Sequence, residues 1–442
     1  MTYDESVRAL LALGRELASP QQAHVHKFGL ENIAALSEAL GNPHLRIPCV
    51  HIAGTNGKGS TAAMLDSILR AAGIRSGLYT SPHLERINER IRIDGADISD
   101  EAFAAAWTRV RAAIEGLLAS GKLSAHPTYF ECITALAFVA FAKSGVEFAV
   151  YEVGLGGRLD STNIVRPEVA IITSIDFDHE SFLGHSITEI AGEKAGIIKA
   201  GATVVSSVER PEARAVIAQR CEEMRARLVE IDEAWRIDSV EDSGGLYRAN
   251  VMTTGSQERF SIAPPLAGRF QIRNALAAVT AARLLATRGF SITQEAIERG
   301  IRAARWPGRL ERLSERPAIF LDGTHNPAGA KELLKFWEEN FAGRRVVLVY
   351  GAMRDKAVDE IAGLLFPAAD FVVLTEPMQP RAISAPVLGE MTAHLARKAT
   401  VIADPAKALE HAIEMASPND AIFATGSLYL VGDLRAYWAG RR

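Results

Sequence analysis

His51-Ile-Ala-Gly-Thr-Asn-Gly-Lys-Gly-Ser-Thr61 is the stretch on which the reading of this chain turns. The apolar run Arg46–Ala53 leads into it and reads as a short strand ending at Gly54. Gly59–Ala72 reads as a helix: Ala62, Leu65, Leu69 and Ala72 recur on one face and Gly73 stops it. Gly54, Gly57 and Gly59 let backbone amides turn toward an anion with no Cβ in the way. Lys58 adds a point charge for the outer phosphates of a nucleotide. Ser60 or Thr61 offers a hydroxyl to Mg²⁺ or a phosphate oxygen at the positive helix end. Residues 55–61 (Thr55, Asn56, Gly57, Lys58, Gly59, Ser60, Thr61) are thus expected to bind ATP. The match to the common phosphate loop is incomplete. Ile52 stands where that pattern has glycine, and Gly59 stands where Ser or Thr should follow the lysine.

Outward from this turn, strand-like and helix-like runs alternate. Ser76–Thr80, Phe148–Val153, Val169–Ile175 and Ala202–Val208 read as strands; Asp100–Leu118, Tyr129–Lys143, Ile187–Ile198 and Pro211–Leu228 read as helices. Such alternation favours an open, mostly parallel sheet covered on both faces. Trp235–Ile262 breaks the pattern and reads as a small antiparallel insertion, followed by an Ala-rich helix over Phe270–Arg288. After Arg305-Trp-Pro-Gly308 a second α/β cycle begins, with strands at Ala318–Asp322, Arg345–Tyr350, Phe371–Leu374, Thr400–Ile402 and Ala421–Thr425. The expected fold class is α/β. Residues 1–302 form a large ATP-binding unit of phosphate-loop type, and residues 303–442 form a smaller Rossmann-like α/β unit.

A net charge of −4 argues against nucleic acid or an anionic membrane as partner, and the basic clusters Arg86–Arg92 and Arg220–Arg227 read as solvated faces. Cys49, Cys132 and Cys221 match no metal or disulfide spacing; Cys49 and Cys132 sit in apolar runs and read as buried small hydrophobes, and the compartment as reducing. No signal peptide or apolar span is visible, so a cytoplasmic monomer handling small molecules is expected.

Nucleotide chemistry calls for Mg²⁺, which prefers oxygen ligands. Glu152 ends an apolar strand, where a parallel sheet presents ligand groups, and Gly154, Gly156 and Gly157 just after it allow backbone to approach a ligand closely. The next strand ends in Ser174-Ile-Asp-Phe-Asp-His179, which puts Asp176, Asp178 and His179 on the same edge. In the second unit, Asp322-Gly-Thr-His-Asn-Pro327 closes a strand before a helix. There Asp322 and His325 are candidates to orient substrate or phosphate, and Asn326 to cap the turn. Arg309 sits at the junction, placed to hold a transferring phosphoryl group.

Together these segments resemble the folylpolyglutamate synthase and dihydrofolate synthase family, a branch of the Mur-type ATP-dependent amide ligases. The matching pieces are Gly54–Ser60, Thr80–Ile93, Tyr129–Glu131, Glu152–Asn163, Thr173–His179, Gly192–Lys199, Phe270–Ala278, Pro307–Glu311 and Asp322–Pro327, in one order over nearly the whole chain. The resemblance implies a ligase that joins L-glutamate to dihydropteroate, to reduced folates or to both, through an acyl phosphate. A Mur-type amino-acid ligase acting on a non-folate carboxylate is the alternative. It also implies that Ser81, Glu152, His179 and Lys194 hold two Mg²⁺ ions, with Lys194 carbamylated. Asn274, Arg309 and Asp322 fall at ATP-contacting positions, and Thr128, Phe130, Arg158, Leu159, Asp160 and, more loosely, Phe28, Gly29 and Leu30 at the pteroate site. Lys58, Lys194, His325 and Asp322 are the candidate catalytic residues.

Overall fold

The computed structural model describes residues 1–14 and 29–441; Phe28 lies outside them. Its first part is built on an eight-stranded sheet. In spatial order the strands are Ala96–Asp97, Ile91–Ile93, Ser76–Tyr79, Phe148–Glu152, Cys49–Ala53, Val169–Ile172, Thr203–Ser206 and Arg227–Glu230. The six strands from Ser76–Tyr79 onward run parallel, and the two before them are antiparallel. Strand order reverses at Cys49–Ala53, which lies between Phe148–Glu152 and Val169–Ile172. In an open α/β sheet, ligands bind beyond the strand ends at this kind of crevice.

Side chains alternate across this central strand. Val50 and Ile52 enter one core with Leu65, Ile68, Ala278 and Ile301, from the helices Lys58–Ala71, Gln271–Thr287 and Gln294–Ala303. Cys49 points to the other face, among Trp107, Cys132 and Phe138 of the helices Asp100–Ala119 and Tyr129–Lys143. All three cysteines are free and buried, and burial pushes their thiols up, that of Cys221 to about 11.

A three-stranded antiparallel sheet of Trp235–Ser243, Leu246–Thr253 and Arg259–Ile262 packs on the helix Gln271–Thr287, as the broken pattern of Trp235–Ile262 predicts. The second part has six strands in the order Glu311–Glu315, Ala318–Leu321, Ala421–Thr425, Val346–Tyr350, Phe371–Leu374 and Ala399–Val401, all parallel except the first. Helices Pro327–Asn340 and Val358–Leu365 cover one face; Pro405–Glu414 and Leu428–Gly440 cover the other.

Two expectations are corrected. The helix read over Pro211–Leu228 stops at Glu223, and Arg227–Glu230 is the edge strand of the large sheet. The chain turns at Arg225, which adopts a left-handed φ of 51° without the glycine that usually marks such a stop. The basic cluster Arg86–Arg92 is not uniformly solvated: Arg90 is 2% exposed, and its Nε donates to His83 Nδ1 at 2.9 Å. No helix among the described residues is long and apolar enough to cross a membrane.

Candidate active site

The phosphate loop is held open by backbone conformation. Gly57 caps the helix Lys58–Ala71 with a φ of 85°, and a Cβ there would collide with the Asn274 amide. Gly59 has ordinary helical geometry, but a Cβ on it would lie 2.8 Å from the Trp306 indole nitrogen. The glycine at the position where Ser or Thr usually stands is thus explained by the indole that covers it.

The rest of the loop is tied to the strand end at Ile172. Thr55 N donates to Ser174 O at 2.6 Å, Asn56 N to Ser174 Oγ at 2.9 Å, and Thr173 Oγ1 to Asn56 O at 2.7 Å. Two of the hydroxyls lean toward the helix Gln271–Thr287. Thr61 Oγ1 donates to Asn274 O at 3.4 Å, and Ser60 Oγ accepts from Gln271 Nε2 at 3.4 Å. A half-buried lysine and a buried one converge on one carbonyl: Lys58 Nζ lies 3.1 Å and Lys194 Nζ 3.0 Å from Gly54 O. Burial lowers both ammonium groups, Lys194 to about 7, with the Lys58 charge adding to the effect there.

Glu152 is buried at its strand end and accepts from the Ser81 amide at 3.3 Å. Burial raises its carboxyl, against the pull of Lys58 and Arg309. Gly59, Ser81, Glu152, Trp306 and Arg309 line one cleft, so the junction arginine and the first-unit carboxylate do meet.

A second knot of charge lies where the two sheets face each other. Asp178 Oδ1 accepts from Lys356 Nζ at 2.9 Å, and its Oδ2 accepts from Asn326 Nδ2 at 3.0 Å. Lys356 Nζ also sits 3.2 Å from His179 Nε2. Burial works against an ionised Asp178, but hydrogen bonding to His325 and the Lys356 charge hold it well below the usual carboxylate range. Burial lowers His179 to about 4, so its imidazole is neutral near neutral pH. The amides of Asn56 and Asn326 pair with each other at 3.0 and 3.1 Å, which fastens the phosphate loop to the second unit.

Several predicted residues spend their polar atoms on local architecture. Asp322 accepts from Leu310 N at 2.9 Å and Thr324 N at 3.0 Å, pinning the junction, where Leu310 has a left-handed φ of 46°. His325 Nδ1 donates to Gly323 O at 2.8 Å, which leaves Nε2 facing Asp178 at 3.5 Å. Asp160 folds the glycine loop by accepting from Gly154 N and Leu155 N at 3.0 and 2.9 Å. Thr128 caps the helix Tyr129–Lys143. Arg158 pairs with Glu193 at 2.8 Å near the surface, and Phe130 packs against Gly154. Leu159 follows Arg158 on the same loop. Gly29 and Leu30 precede the helix Glu31–Ala39, and Leu30 packs against the same core as Tyr129.

The donor chemistry suits hard divalent cations at two places. Glu152 is a buried carboxylate facing a cation, Lys58. At the other, the Lys356 ammonium stands between an imidazole nitrogen and a carboxylate oxygen. Among the described residues, no three His, Cys, Asp or Glu side chains converge as a metal cage. Other donors are therefore needed to complete either shell.

Residues 52–282 match the Mur ligase middle domain and residues 308–428 the Mur ligase glutamate ligase domain. The dihydrofolate synthase/folylpolyglutamate synthase of Bacillus subtilis is 36% identical over 419 residues, which cover 92% of this chain and 94% of that protein. The chain belongs to the dihydrofolate synthase/folylpolyglutamate synthase branch of the Mur ligases. Among solved members of this branch, Mycobacterium tuberculosis folylpolyglutamate synthase complexed with ADP and AMPPCP is 33% identical. It superimposes with a TM-score of 0.87, covering 98% of this chain and 99% of that one. Escherichia coli FolC in complex with DHPP and ADP is 29% identical with a TM-score of 0.86, covering 100% of this chain and 99% of that one.

In this Mur ligase, sequence reasoning missed Lys356 and the role of Trp306. Lys356 follows the apolar strand Val346–Tyr350 at its carboxyl end, the same kind of position that singled out Glu152 and Asp178. Trp306 appeared only as part of a junction motif, because contact with Gly59 is not readable from spacing.

Proposed function

We propose that this chain joins L-glutamate to dihydropteroate or a reduced folate at the expense of ATP, as a monomer in the cytoplasm. Residues 1–302 bind ATP and the folate-type acid, and residues 303–442 bring in glutamate. The observation that carries this reading is the meeting of the phosphate loop, Glu152 and Arg309 in one cleft. Both parts of that cleft come from a single chain.

The folate-type carboxylate attacks the γ-phosphorus of ATP, forming an acyl phosphate and ADP. Lys58 and Arg309 neutralise charge on the transferring group, at positions where burial strengthens electrostatics. The glutamate amine then attacks the acyl carbon; the C–N bond forms, the C–O bond to phosphate breaks, and the amine proton is lost. His325 and Asp178 stand ready to orient the incoming amino acid or the leaving phosphate.

Ser81, Glu152, His179 and a carbamylated Lys194 would hold Mg²⁺, which supplies charge neutralisation for the phosphates when bound. Lys194 suits carbamylation because its buried amine, lowered to about 7, is partly neutral at physiological pH. The amine nitrogen adds to CO₂, an N–C bond forms and a proton leaves, giving an oxygen donor where a cation stood.

The test measures ADP and amide product together, with dihydropteroate and then tetrahydrofolate as acceptor, with and without glutamate. ADP release that depends on both acceptor and glutamate and matches amide formation is expected. Turnover indifferent to glutamate refutes the reading. Replacing Glu152 by Gln should lower kcat by at least about 100-fold.

A further inference from the structure

The helix Pro327–Asn340 is gripped at both ends by the first part of the chain. At its start, the cap residue Asn326 bonds Asn56 and Asp178 at 3.0 Å. At its finish, the turn of the antiparallel insertion docks on it. Tyr247 OH donates to Glu339 Oε2 at 2.5 Å and accepts from Asn340 Nδ2 at 3.1 Å. Arg269 approaches the other Glu339 oxygen at 3.8 Å and lies over the Tyr247 ring. Gly245, at the hairpin turn, comes so near that a Cβ on it would lie 2.6 Å from the Phe336 ring. Nothing in the chemistry of the phosphate loop requires this second contact. It lies 14 residues along the helix from the first, about 20 Å at the α-helical rise.

A rigid rod fixed at one end still pivots; fixed at two ends, it does not. The start of this rod carries His325 to Asp178 and Asn326 to both Asp178 and the phosphate-loop residue Asn56, so its angle decides how firmly the second unit sits on the first when acyl phosphate is present. We propose that Tyr247 is a positioning residue for the ligase reaction. By holding the far end of the helix Pro327–Asn340, the insertion hairpin keeps the second unit closed over the acyl phosphate and excludes water. The inference rests on the acyl phosphate reading above. If the cleft opens early, water attacks the acyl carbon instead of the glutamate amine; the carboxylate is regenerated, phosphate leaves, and ATP is spent with no amide formed.

The readout is therefore the ratio of ADP to amide at saturating glutamate, measured with the thermal midpoint. Wild type is expected to give a ratio near one; a wild type that forms no amide overturns the functional reading, not this inference. Losing a hydrogen bond to a charged group shifts an open–closed equilibrium by about tenfold. Tyr247→Phe is therefore expected to raise the ratio severalfold with a nearly unchanged thermal midpoint. Glu339→Ala, which removes a half-exposed side chain, should do the same. Glu339→Gln, which keeps an acceptor for the phenol, should stay near the wild-type ratio. If both Tyr247→Phe and Glu339→Ala keep the wild-type ratio, or lose ADP and amide in proportion as their midpoints fall, the contact is merely structural and the proposal is overturned.

Discussion

Trp306 covers Gly59 so closely that a Cβ on the glycine would sit 2.8 Å from the indole nitrogen. The tryptophan belongs to the junction between the two parts, and the glycine to the first turn of the phosphate-binding helix. Arg92 stacks on the same indole at 5.1 Å, so the ring has little freedom to withdraw. Replacing Gly59 by Ser would restore the residue of the common phosphate loop but should weaken ATP binding here. Overpacking of this kind costs roughly 1–3 kcal/mol. The check is the thermal midpoint and the KM for ATP of Gly59→Ser, alone and combined with Trp306→Ala. Recovery of the midpoint in the double variant is expected, and its absence would place the strain elsewhere.

The ion pair between Lys356 and Asp178 joins the two parts through side chains that are 9% and 10% exposed. A close buried pair in a shared network should show a coupling of about 1–3 kcal/mol. A double-mutant cycle of Lys356→Met and Asp178→Asn, followed by chemical denaturation, measures it. Additive effects would mean that Asn326 and His325 hold the carboxylate without the lysine.

His51 predicts an acid limit to stability. Burial lowers its imidazole to about 3, with the Lys199 charge adding to the effect, and its Nε2 lies 2.8 Å from Thr162 Oγ1. In the unfolded chain the group titrates near 6.5. Between these values the unfolded state binds the proton and the folded state does not. Its contribution is therefore complete above pH ~6.5 and is lost as pH falls toward about 3, at up to about 1.4 kcal/mol per pH unit. Denaturation midpoints from pH 7 to 4 should fall less steeply in His51→Gln than in wild type; parallel curves would contradict the buried neutral histidine.

Carbamylation of Lys194 predicts a carbonyl resonance when the enzyme is equilibrated with ¹³C-bicarbonate. It should be absent in Lys194→Ala, whose activity should drop by at least about 100-fold. A wild-type spectrum identical to that of the variant would mean that the lysine is an unmodified amine donating to the Gly54 carbonyl.

Much of this was legible in the chain itself, for reasons specific to each element. The strands Phe148–Glu152, apolar up to its closing carboxylate, and Val169–Ile172 are buried on both sides, so their pattern leaves little choice of structure. The edge strand Arg227–Glu230 was hidden because its preceding helix ends at a left-handed arginine, not at a glycine, and because an edge strand is only half covered. Within the site, the glycines of the loop and the acids at strand ends announce themselves by position. Asp160 and Asp322 also stand at strand-end loops, yet their carboxylates are taken up by backbone amides. Sequence registers that an acid is present, not which donors reach it first. Lys356 is marked by its place after the strand Val346–Tyr350, but its pairing is not, since its partner lies 178 residues away.

The burial of Cys49, Cys132 and Cys221 has a practical corollary. Thiols sealed in the core and pushed up by desolvation react slowly with maleimides and nitroxide reagents. The native chain is therefore a nearly silent background for site-directed labelling. A pair of cysteines introduced on exposed positions either side of the cleft would carry a fluorophore or spin-label pair without first stripping out the natural ones, and the opening angle of the enzyme could be followed in real time as it turns over.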